Sequence, residues 1–142
     1  MKRIKRIIND ISILLGVNPP NIKYGSFNGY FNDLIIIKKE EYHKSLFIAL
    51  HELRHHYQMN YIKNNDDYIS LLLRYEMDNY NNLDYKNLYM EMDAYYFSVY
   101  VFMYILKMDY KIDNVLLDMI LKYISEYTFI FGGLYGRCQK NR

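Results

Sequence analysis

The sequence predicts one α+β domain, mainly helical, with a small sheet near its N-terminal end. Strand signals are confined to residues 22–39, helical periodicity covers most of the rest, and 142 residues suit one core better than two. Hydrophobic residues make up 51% and charged residues 24% of the chain, which excludes a disordered polypeptide.

The opening MKRIKRIINDISILLG begins like a signal peptide, but Asn9 and Asp10 interrupt its apolar run and no small-residue cleavage site follows. Ile4, Ile7, Ile8, Ile11, Leu14 and Leu15 recur at i, i+3, i+4, i+7, so the segment is expected to be a helix with Gly16 as its stop. The prolines of VNPPN break the chain. Turn signals at Gly25, Asn28-Gly29 and Asn32-Asp33 then separate two or three short strands, the last being the apolar run Leu34 to Ile37. From Glu40 to about Tyr61 helical spacing returns in Tyr42, Leu46, Ala49, Leu50 and Leu53. The loops NNDD at 64–67 and NNLD at 81–84 offer N-cap residues, which places one helix at about Asp67 to Tyr80 and another at about Asp84 to Lys107. A last helix is expected from an N-cap at Asp113 to about Phe129, before the glycines 132, 133 and 136 mark a turn-rich tail.

Composition excludes several classes of partner. A net charge of +2, with the basic residues gathered at the two ends, is too small for a nucleic-acid binder. The longest uncharged run, residues 94–106, falls short of the ~20 residues that a spanning helix needs, so no membrane partner is expected. A single cysteine, Cys138, excludes an internal disulfide and a cysteine-based zinc module, and suits a reducing cytoplasm.

All four histidines fall between positions 43 and 56, three of them in FIALHELRHHYQ. His51 and His55 are four apart, which stacks them on one helical face and lets two imidazoles reach one metal ion. Glu52 projects about 100° around the helix from His51, where it can act on a water rather than on the metal. This is the HExxH pattern, with His51 and His55 as zinc ligands and Glu52 as general base. His56 points about 100° away from His55 and is expected to support the site or lie on the surface. His43, two turns before His51, is expected to be exposed.

A catalytic zinc needs a third protein ligand and one open position. Gln58 and Tyr61 stand where a metzincin would have glycine and histidine, and no histidine or suitable cysteine follows. The third ligand is therefore a carboxylate among Glu76, Asp78, Asp84, Glu91 and Asp93. The stretch LYMEMDAYYFSVY is the most informative, because acids in an otherwise apolar helix need a compensating partner. Glu91 and Asp93 are about 200° apart on a helix, so at most one faces the metal. Small Ala94 one turn after Glu91 leaves room for a second helix; Asp93 is expected to face solvent or to support the site.

HELRHHYQ followed by EMDAYYFS resembles the HExxH and E-x-x-A arrangement of gluzincin metallopeptidases, in particular the ImmA/IrrE-type proteins of bacteria and their mobile elements and the short HExxH proteins of phages. The resemblance covers residues ~30 to 105. It implies a minigluzincin fold, one zinc ion per chain, and Glu91 as third ligand. Related gluzincins often carry, four residues after that glutamate, an acid that supports a ligand histidine. This chain has Tyr95 there, which leaves that support to Asp93 or to Tyr95 itself. The resemblance further implies that NDLIIIKK lies along the cleft and pairs with an extended peptide, and that the substrate is a separate protein, such as a regulator. Two rival readings are a non-catalytic, zinc-stabilised protein-binding module and a helical interaction protein without metal, the latter resting on exposed-looking tyrosines.

Overall fold

The computed structural model describes residues 1–128 of the chain. Its order is one helix, a sheet and four helices: α1 (Lys2–Leu15), β1 (Asn21–Tyr24), β2 (Gly29–Phe31), β3 (Leu34–Ile37), α2 (Tyr42–Asn64), α3 (Tyr68–Asp78), α4 (Tyr89–Tyr100) and α5 (Asn114–Tyr123). The expected glycine-rich tail and Phe129 lie outside the described residues.

Helix α1 forms as its spacing predicts, with Ile4, Ile8 and Ile11 buried, although Leu14 is exposed. Gly16 closes it at φ 74°, and its N–H is donated back to the last turn. The sheet has the order β1-β3-β2. β3 pairs in parallel with β1 (Ile22 opposite Ile35) and antiparallel with β2 (Tyr30 opposite Ile35). Asn32 and Asp33 carry positive φ of 46° and 62° in the two-residue turn between β2 and β3, a conformation these residue types tolerate. Gly25 is required, because a Cβ there would meet Ile36 Cγ2 at 2.5 Å.

This order corrects one expectation. The strand Leu34–Ile37 is central, with both edges already paired, and so cannot receive a peptide. The strand with a free edge beside α2 is β2.

Two cores meet along α2. The first is aliphatic, joining α1, β1 and β3 to Leu46, Ala49, Leu50 and Leu53 of α2 and to Phe97 and Phe102. Each isoleucine fully buried there contributes about 1.5–3 kcal/mol by removal from water. The second joins Tyr57 and Tyr61 to Ile69, Leu73, Tyr89, Met92 and Tyr123. Those four tyrosines are core residues, whereas Tyr68, Tyr75, Tyr85, Tyr100 and Tyr104 are exposed.

Helix α4 starts later than expected. Asp84 caps only a short 3-10 turn at Tyr85–Asn87, accepting from Lys86 N. The first donors of α4 are satisfied from another helix: Glu76 of α3 accepts from Tyr89 N at 2.6 Å and Met90 N at 2.9 Å. Beyond Tyr100 the chain continues as a π-helical turn, Val101–Ile105. Asp113 caps α5 through Leu116 N, as expected, and α5 likewise passes into a π-helical turn, Ile124–Thr128. Among the described residues no helix is long and apolar enough to cross a membrane.

Candidate metal centre

The site forms where α2 packs against α4. Helix α2 is capped by Glu41, which accepts from His43 N and Lys44 N, and it is buried almost all round between Ser45 and Gln58. His51 and His55 leave it on one face, as i and i+4 require. From α4, Glu91 projects into the same space.

Three ligand atoms converge. His51 Nε2 and His55 Nε2 are 3.1 Å apart, and Glu91 Oε1 lies 3.0 Å from the first and 3.2 Å from the second. All three residues are buried. A zinc ion held tetrahedrally at about 2.0–2.1 Å would separate its ligand atoms by roughly 3.3 Å, so this triangle needs to open only slightly. Two imidazoles and one carboxylate are also the donor set of a three-ligand zinc site with one open position. A carboxylate oxygen of Glu52 lies within 4.8 Å of ligand nitrogens of both histidines.

Electrostatics follow from this crowding. Burial alone would lower the pKa of His55, but the charge and hydrogen bond of Glu91 outweigh it and raise it to about 9. Burial pushes Glu91 the other way, yet His55 and His51 prevail and hold it well below the usual carboxylate range. Metal-free, each shift favours the charged form of its own group.

The other candidate acids separate cleanly. Glu76 is buried at the start of α4, its pKa raised by that burial despite two backbone donors. Asp78 and Asp84 are exposed. Asp93 is not solvent-facing but fully buried, bound by Arg54 Nε at 2.8 Å, Gln58 Nε2 at 2.9 Å and Tyr123 Oη at 2.6 Å. It reaches the cluster only through Gln58. Tyr95 packs against His51, with ring centroids 4.1 Å apart and the planes tilted by 46°, and turns its hydroxyl to Tyr85. His56 is occupied elsewhere, its Nδ1 2.8 Å from Tyr30 Oη and its Nε2 2.7 Å from Asn18 O. It ties the β2 hairpin and the loop before β1 to α2. His43 is exposed, as expected.

Two contributors escaped the sequence reading. Tyr80 Oη donates to Glu91 Oε2 at 3.0 Å, and Gln58 Oε1 lies 2.8 Å from His55 Nδ1. The three-residue spacing from His55 to Gln58 was available as a signal; nothing local marks Tyr80 among eighteen tyrosines.

The cluster opens on a cleft of about 810 Å³, along which residues 28–33 form one wall. A second lobe of about 440 Å³ shares Asn28, His51, Glu52 and Tyr85 with the first and is lined by Phe47, Tyr95 and Tyr110. The site therefore lies where the two lobes meet. No family model matches the chain, and neither a curated protein nor a solved structure does.

Proposed function

We propose that this chain is a zinc-dependent metallopeptidase of gluzincin type that hydrolyses a peptide bond in a protein substrate, with His51, His55 and Glu91 as ligands and Glu52 as general base. The observation that carries this reading is the 3.0–3.2 Å triangle of two imidazole nitrogens and a carboxylate oxygen, with a second carboxylate beside it. When bound, zinc supplies Lewis-acid polarisation of the peptide carbonyl and makes a neighbouring water more acidic.

The chain's own residues supply the rest. Glu52 lines both lobes, and its buried Oε2 has no hydrogen-bond partner among the described residues. It is free to take a proton from water and deliver it to the leaving amine. The free edge of β2 offers backbone donors and acceptors to an extended peptide. Tyr80 is engaged by Glu91, whereas among the described residues the hydroxyl of Tyr85 has one hydrogen-bond partner, that of Tyr95, at 3.0 Å. With Tyr95 donating, Tyr85 O–H is left for the developing oxyanion. Partial burial, followed by the charge of Glu91, raises the pKa of Tyr85, which keeps it a donor.

Zinc content by elemental mass spectrometry tests the site, and cleavage of an unstructured peptide library, read by mass spectrometry, tests the chemistry. One zinc per chain is expected, weakened by Glu91→Ala. Glu52→Gln should keep the zinc and lose cleavage by roughly 10²–10⁴-fold. Zinc bound without any cleavage would assign the chain instead to a zinc-stabilised binding module. No zinc at all would remove the metal reading.

A further inference from the structure

The three converging side chains are not supported alike. His55 Nδ1 faces Gln58 Oε1 at 2.8 Å. An amide oxygen only accepts, so Nδ1 carries a proton and Nε2 is aimed at the cluster. Gln58 cannot be flipped, because its Nε2 donates to Met90 O and Asp93 Oδ2, each at 2.9 Å, and both are acceptors. Asp93 is fixed in turn by Arg54 and Tyr123. The relay runs from α2 to α4, the two helices that carry the triangle, and every member is buried. Glu91 has its own support in Tyr80, which occupies Oε2 and leaves Oε1 to the cluster.

His51 has no equivalent. Its Nδ1 is buried without a hydrogen-bond partner among the described residues. Its ring packs on Tyr95, tilted by 46°, and edge-on against His55, and the Tyr95 hydroxyl points away to Tyr85.

We propose that Gln58, backed by Asp93, is a positioning residue that sets the orientation of His55 for metal, whereas His51 has no hydrogen-bond partner behind its ring and is backed there by packing on Tyr95, so that the site grips its ion unequally. The proposal rests on the assignment of His51, His55 and Glu91 as ligands. Partners behind a ligand histidine typically account for a 10–100-fold range of metal affinity. The two histidines of this site should therefore respond to different changes: loss of an amide for His55, loss of a ring for His51.

The test is a zinc titration of the full chain against a chromophoric chelator, with folding followed by circular dichroism. Gln58→Met keeps the length and removes the hydrogen bonds; its zinc Kd is expected to rise about 10–100-fold. Tyr95→Leu removes the ring behind His51 and is expected to weaken zinc as well, while leaving the His55 Nδ1 hydrogen bond to Gln58 in place. A folded Gln58→Met protein with wild-type Kd would overturn the proposal while leaving the metal site intact. A wild-type chain that binds no zinc would overturn both. Should Gln58→Met fail to fold, the zinc-loaded wild-type protein decides by NMR. The hydrogen-bonded Nδ1 proton of His55 is expected downfield of that of His51, and coincident shifts would overturn the asymmetry.

Discussion

Helices α1 and α2 are both held by burial, but they bury different things. α1 is a stripe: of its 14 residues only Ile4, Ile8, Ile11 and Ser12 are buried, and the outer face is charged. α2 buries 14 of 23 residues, among them His51, Glu52, Arg54, His55, His56 and Gln58. A helix of the first kind needs one apolar neighbour. One of the second kind needs partners for each polar group, because a buried group left unpaired costs more than its hydrogen bond gains. Those partners come from α4 (Glu91, Asp93, Met90), from β2 (Tyr30) and from the loop before β1 (Asn18). A helix assembled this way from distant partners has its polar residues held in place by the surrounding fold.

The largest effect expected from breaking this contrast is at Arg54. Its guanidinium binds Asp93, 1% exposed against fully buried, and lies over the rings of Tyr57 and Phe97. Arg54→Met would leave Asp93 with only its Gln58 and Tyr123 donors, at a cost of about 3–5 kcal/mol in urea unfolding of the metal-free chain. The double variant Arg54→Met with Asp93→Leu should recover part of that, since no orphaned charge remains. Ile8→Ala in α1 is expected to cost about 2–5 kcal/mol by cavity formation while leaving zinc affinity unchanged. A cost below about 1 kcal/mol for Arg54→Met would erase the distinction between the two helices.

The contrast also accounts for what could be read from the sequence. α1 was legible because a stripe is a local pattern, and His51, Glu52 and His55 were legible because i, i+4 spacing fixes their common face whatever packs on it. Glu91 stood out as an acid in an apolar helix. The unreadable features are all non-local. Glu76 caps α4 from α3, so Asp84, the better local cap, was mistaken for the start of α4. The parallel pairing of β1 with β3 makes β3 central and leaves β1 and β2 at the edges, and no local signal distinguishes a central β-strand of four residues from an edge one. Asp93 was left between facing solvent and supporting the site because its partners are on α2 and α5.

A smaller effect follows from the ion pair. In the metal-free chain burial lowers the pKa of His55, but the charge and hydrogen bond of Glu91 outweigh it and push it up from 6.5 to about 9. A raised folded pKa stabilises the metal-free fold below about 6.5, and that contribution is lost as pH rises through about 9. Zinc displaces the same proton from Nε2, so affinity should rise about tenfold, or about 1.4 kcal/mol, per pH unit between those values and then level off. Stability of the metal-free chain and affinity for zinc thus run in opposite directions. Calorimetric titration near pH 7.5 in buffers of different ionisation enthalpy should show about one proton released per zinc. Affinity independent of pH would mean that the pair is not ionised.

The smallest effect is the sharpest control. Ser12 is the one buried polar residue of α1, fully enclosed, yet its Oγ donates only to Ile8 O, 2.6 Å away in the same helix. That carbonyl already accepts within the helix, so Ser12→Ala orphans nothing and gains a little helix propensity. Urea unfolding should register a change within about 0.5 kcal/mol, with zinc affinity unaltered. Were Ser12→Ala to cost as much as Arg54→Met, burial of a polar group would be the expensive quantity in this protein. The expected outcome places the cost in whether its partner lies across the fold, which separates the polar residues of α2 from that of α1.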